Sequence, residues 1–184
     1  MSNTTLMSRD YADSGLTIQY ALLDHFKKFP DKTQRPDYVF WGGLQVKTGD
    51  ALAVPPRGVV RAEFLSHNSD VPQGFDLSID GCIELAEGER VQTLRTWNDP
   101  SYEGVVEYPY QSEDGRLWVW NVYKRSAGGQ VVEEKWTGNA GFWVEKLSDQ
   151  QCIYHCSHGM ADPPDFTSLV FKITINPEPG QPEE

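Results

Sequence analysis

A chain of 184 residues, 39% hydrophobic and 23% charged, is long enough for one domain with a substantial core. Sixteen basic against twenty-seven acidic side chains give a formal charge of −11. Such a surface repels phosphate backbones and anionic lipid, which excludes nucleic acid and membrane as expected partners.

The opening MSNTTLMSRDYADSG lacks a basic stretch followed by an apolar one, so no secretory signal is read there. Cys82, Cys152 and Cys156 are an odd number, which argues against a disulfide framework. The expected compartment is the cytoplasm, with a mature secreted form as the other possibility. No apolar run approaches the roughly 20 residues that span a bilayer.

Residues 1–37 read as an N-terminal helical extension. Between Gly15 and Phe29 one apolar row runs through Leu16, Tyr20 and Leu23 and another through Leu22, Phe26 and Phe29. Intervals of three and four predict an amphipathic helix, with Asp13 or Ser14 as N-cap and Pro30 beyond its end.

Residues 38–175 read as a β domain. Short runs rich in Val, Ile, Thr and aromatics alternate with Gly, Pro, Asn and Asp. Strands are predicted near 38–46, 51–54, 59–66, 74–80, 89–97, 103–110, 116–125, 130–138, 141–147, 151–156 and 168–175. SEDGR (112–116) and SAGGQ (126–130) read as hairpin turns. Many short strands at this spacing predict an all-β sandwich or barrel. The acidic, proline-rich residues 176–184 read as a disordered tail.

CIYHCSHGM, residues 152–160, concentrates two cysteines, two histidines and a methionine. Alternation in a strand puts Cys152, Tyr154, Cys156 and, if the strand continues, His158 on one face. Gly159 lets Met160 turn back. Thiolate, imidazole and thioether suit copper in a site with two histidines, one cysteine and a distant methionine. His67, where VVRAEFLSHNSD breaks into a polar loop, is the candidate second histidine. The same residues are equally those of an ordinary strand end, since Cys behaves as a small hydrophobe and Met fills gaps.

LQVKTGDALAV (44–54) with VVRAEFLSHN (59–68), and YHCSHGM (154–160) with SLVFKITI (168–175), together resemble the cupredoxins. The resemblance covers about 60 residues, 44–68 and 154–175. It implies a Greek-key β-sandwich, cupredoxin-like, carrying one N-terminal helix. It also implies a copper ion held by His67, Cys156, His158 and Met160, used for electron transfer to a redox partner or a redox step on a small molecule. The chain departs from the family in several respects. Only Ser157 separates Cys156 from His158, and only Gly159 separates His158 from Met160. Cys152 stands where a core aromatic is common, and no signal is read although such copper proteins generally act outside the cytosol. An aromatic-rich segment, 97–143, is additional.

That segment supports a second function class. Trp118 and Trp120 share a strand face, and Trp136 and Trp143 lie near in sequence. Aromatic platforms beside Asn, Asp and Glu suit a carbohydrate or an aromatic metabolite, bound without metal. A glycine-rich phosphate loop, a GxSxG elbow and an HExxH motif are all missing from the sequence.

Overall fold

The computed structural model describes residues 9–178. In chain order its elements are α1 (Ile18–Lys28), β1 (Val39–Trp41), β2 (Leu44–Val46), β3 (Asp50–Ala53), β4 (Arg57–His67), β5 (Gln73–Glu84), β6 (Arg90–Trp97), β7 (Val105–Ala127), β8 (Gln130–Glu134), β9 (Gly141–Ser148), β10 (Gln151–Ser157) and β11 (Leu169–Pro177). Two short 3₁₀ turns flank β6. The fold is all-β with one α-helix among the described residues, and no helix there is long and apolar enough to cross a membrane.

The helix begins later than its apolar rows predict. Thr17 is the N-cap, its hydroxyl accepting the Tyr20 N–H, and Asn139 Oδ1 accepts the Ile18 N–H at 3.1 Å. Asp13 and Ser14 precede the helix in a turn, where Ser14 N–H donates to Tyr11 O. Ile18, Ala21, Leu22 and His25 form the buried face, whereas Leu16, Tyr20, Leu23 and Phe26 are exposed. His25 is spent on the Pro36 carbonyl at 2.9 Å. The buried face packs with Tyr11, Val39, Trp41 and Val46 into a small second core. The predicted strand 38–46 is in fact the hairpin β1–β2, turned at Gly42–Gly43.

Nine strands form one sheet, ordered β6-β5-β7-β4-β11-β10-β9, with β3 and β8 also paired to β7. In a flat sheet β5 and β11 would lie roughly 14 Å apart, three strand spacings. Yet Phe75 on β5 stacks on Phe171 on β11 with ring centres 4.9 Å apart. The sheet therefore curls back on itself into two facing walls. The gap between them is filled by an aromatic column running Phe64, Phe75, Phe171, Tyr154, Phe142, with adjacent centres 4.9–5.4 Å apart. Val60, Leu77, Leu117, Val119 and Ile173 complete this core.

The turn expected at 112–116 is absent; β7 runs unbroken for 23 residues. On one edge its partner changes from β4, which ends at Arg57↔Gln111, to β3, which begins at Ala53↔Arg116. Across that gap the Ser112 hydroxyl accepts the N–H groups of Gly115 and Arg116 at 3.0 and 3.1 Å. On the other edge β5 follows the bend through an irregularity at Gly81, where φ is +138° and a side chain would collide with the Gln111 carbonyl. The SEDGR glycine thus marks a corner within a strand. SAGGQ does form a hairpin, joining β7 to β8.

A seam closes the walls. Lys47 and Phe142 exchange backbone hydrogen bonds at 2.9 and 3.0 Å. Lys47 Nζ reaches Asp50 Oδ1 at 2.7 Å, and Asp50 Oδ2 accepts the buried Tyr154 hydroxyl at 2.8 Å. Of the predicted tail, Asn176 and Pro177 belong to β11, and residues 179–184 lie outside the described residues.

Candidate functional site

β10 alternates as its sequence predicts. Cys152, Tyr154 and Cys156 enter the core, while Ile153 and His155 are only partly buried and turn outward. Cys156 is completely buried, and that burial pushes its thiol well above the ordinary value. Cys156 and His67 both pair with Leu169 from opposite sides, so two strand spacings, roughly 9.5 Å, separate them. The exposed His67 ring lies 3.3 Å from Asn98 Nδ2 through its Nδ1. His158 is buried behind β10, and Met160 is 47% exposed in a different hollow beside Leu16 and Trp41.

The four residues are thus not gathered round one point: Cys156 is sealed in the core and His67 is exposed, while the Met160 backbone meets His158. Among the described residues, no three or more His, Cys, Asp or Glu side chains are grouped to hold a metal ion. As arranged, the chain does not fit the copper set that the cupredoxin resemblance implies.

His158 has its own polar setting. Its Nδ1 accepts the Met160 N–H at 3.2 Å, which leaves the neutral ring's proton on Nε2, 3.4 Å from Ser69 Oγ. In that tautomer the imidazole donates toward the Ser69 hydroxyl. Burial lowers the His158 pKa below the ordinary imidazole range, opposed by the nearby Asp165 carboxylate. Around it the interior turns polar: Asn121 Nδ2 donates to the Ser157 carbonyl and Gln73 Nε2 to the Ser168 carbonyl, both at 3.0 Å. Gly159 is required here, because a side chain would collide with the Tyr123 hydroxyl. Outside this polar end lies a hollow of about 520 Å³, lined in part by His67, Asp70, Gln73 and Asn98.

The second candidate region is the outer face of β6, β5 and β7. The register aligns Arg95, Asp76 and Trp120 in one row across three strands, and Thr93, Ser78 and Trp118 in the next. Directly opposed residues project from the same face. Asp76 is 1% exposed although it faces away from the aromatic column. It is satisfied by a two-pronged bond from Arg95, 2.7 and 2.8 Å, and by the Trp120 indole N–H at 2.8 Å. These bonds raise the Arg95 pKa further above its ordinary value. Arg95 also reaches Glu133 at 2.9 Å.

β8 ends at Glu134, and the chain then folds Trp136 over this face. Its ring lies 5.5 Å from that of Trp120, and the Lys135 ammonium stands 4.5 Å from the Trp136 ring centre and 5.0 Å from that of Trp120. Trp136 has φ +62°, a left-handed backbone that costs a bulky residue free energy. Trp118 and Trp136 remain 42% and 46% exposed. Trp143 is not part of this group; on β9 it stacks on His155 at 3.9 Å and 3°, where His155 also meets Glu145 at 2.9 Å.

Arg95 is the residue that sequence reading missed. Its signal was the alternation FDLSI opposite TLRTW, which is meaningful only once the β5–β6 register is known. Searches of protein-family models, curated proteins and solved structures return no match, so function is read from this geometry alone.

Proposed function

We propose that the chain is a metal-free β-sandwich that binds carbohydrate on the outer face of β5–β7, with Trp118, Trp120 and Trp136 as the stacking surface. One observation carries the reading. Trp120 is locked through its indole N–H to a buried carboxylate that Arg95 grips in turn, while Trp136 is held beside it by a strained backbone. A protein that needed these rings only for packing would bury them; here two of the three remain nearly half open. A pre-fixed aromatic platform loses little conformational entropy on binding, and the apolar face of a sugar ring stacks on it. Arg95, Glu133 and Lys135 offer donors and acceptors for the hydroxyls at its margin. The four positions of the cupredoxin-type set take no part.

Tryptophan fluorescence tests the reading, titrated with a panel of neutral and acidic oligosaccharides and, separately, aromatic metabolites. Quenching by one carbohydrate class, weakened about tenfold in Trp136→Ala, is expected. Response to aromatic metabolites alone moves the ligand to that class, and a flat response throughout removes the proposal. Added Cu(II) should give no intense visible band. A band that vanishes in Cys156→Ser would restore the copper reading.

A further inference from the structure

We propose that the hollow at the polar end is a second binding site, separate from the tryptophan face, built for a small organic cation of the primary-ammonium class. Its volume, about 520 Å³, suits a small molecule. Gln73 lines it and is only 4% exposed. The carboxamide nitrogen is spent on the Ser168 carbonyl, and the oxygen is buried with no hydrogen-bond partner. An unmet buried acceptor is unfavourable until a donor reaches it.

The charged lining has one sign. Asp70 and Asp99 stand in the walls, and neither Lys nor Arg lines the hollow. The Ser101 N–H donates to Asp99 at 2.8 Å and holds its carboxyl below the ordinary range, so it is ionised at neutral pH. Lys124 and Arg125 lie in the adjoining hollow on the far side of Asp70, and both are engaged elsewhere. Lys124 sits over the Trp97 ring at 4.4 Å, and Arg125 meets Glu134 at 2.7 Å. An ammonium group supplies a positive charge for the two carboxylates and, when the Gln73 carboxamide turns out toward the hollow, a donor for its buried Oε1. Val71 and Pro100 give the alkyl part an apolar wall. The net charge of −11 draws cations toward the protein.

The test is calorimetric titration of the full chain at pH 7 and constant ionic strength with n-propylammonium chloride, 1-propanol and sodium propionate. Saturable binding of the ammonium is expected, with the alcohol at least about tenfold weaker and propionate silent. Asp70→Asn, at an exposed position, should weaken the ammonium about tenfold. Gln73→Leu should do the same, and Trp136→Ala should change nothing. The His67 ring resonances should shift during the titration. No saturable ammonium binding, equal affinity for propanol, or undiminished affinity in Asp70→Asn would each overturn the proposal. If Gln73→Leu fails to fold, Asp70→Asn and the His67 resonances decide.

Discussion

The molecule carries two aromatic groups, one on the inner face of the curled sheet and one on its outer face, and they are built by different rules. Inside, Phe75, Phe171, Tyr154 and Phe142 touch mainly one another, at stacked or edge-on angles, and their exposure is nil. Outside, Trp120 and Trp136 are tied to Asp76, Arg95 and Lys135, and Trp136 and Trp118 stay open to water. Burial is the main stabiliser of the inner group, at about 25 cal/mol per Å² of apolar area, with one polar tie from the Tyr154 hydroxyl to Asp50. The outer group gains less from burial and is held by charge-assisted bonds and a left-handed residue. On the proposed function, rings held in place at that cost, two of the three still open to water, are positioned for a ligand.

This contrast can be broken from either side. The largest effect is expected inside: Phe171→Ala removes the ring between Phe75 and Tyr154 and should cost about 4 kcal/mol in urea unfolding, with ligand quenching retained in the protein that remains folded. Next, Asp76→Ala strands the Arg95 guanidinium and frees the Trp120 indole. A loss of about 3 kcal/mol is expected, together with lost binding, because this carboxylate serves both the fold and the platform. Trp136→Gly should separate the two roles. Glycine accepts φ +62° without strain, so stability should stay within about 1 kcal/mol while sugar binding still weakens about tenfold. Equal losses of stability and binding would show that Trp136 is packing and no more.

The smallest effect concerns acid. The Arg125 guanidinium, 2.7 Å away, holds Glu134 at about 2, against an ordinary 4.5, with Tyr123 and Thr137 adding hydrogen bonds. A carboxyl whose folded pKa lies below its unfolded one contributes stability above the unfolded value and loses it as pH falls toward the folded one. Glu134 should therefore make unfolding pH-dependent between about 5 and 2, and Glu134→Gln should flatten that window. Arg125 is more than a third open to water, so screening keeps the effect small.

Local pattern made some of this legible. Alternation placed Cys152, Tyr154 and Cys156 on the inner face and Trp118 with Trp120 on the outer one, because period two is intrinsic to a strand. The helix was visible from its spacing, but not the side it buries: Tyr20 and Leu22 are both apolar, and only the β1–β2 hairpin decides between them. What escaped depended on partners distant in sequence. SEDGR has the residues of a turn, yet Arg57 and Ala53, some sixty positions earlier, take up its two flanks and make it a corner. His67 and Cys156 looked able to meet, yet the structure leaves one exposed and seals the other in the core. Arg95 and Asp76 are nineteen positions apart and become a pair only through register.

The continuous β7 has a mechanical consequence. Its first half is laced to β4 and its second to β3 and then β8, while β5 grips the other edge through the bend. Neither wall can peel away without tearing the same ribbon, so opening should be all-or-none rather than wall by wall. Amide hydrogens around Gln111 and Leu117 should then be among the last in the molecule to exchange with deuterated solvent, releasing only when the whole hoop comes apart.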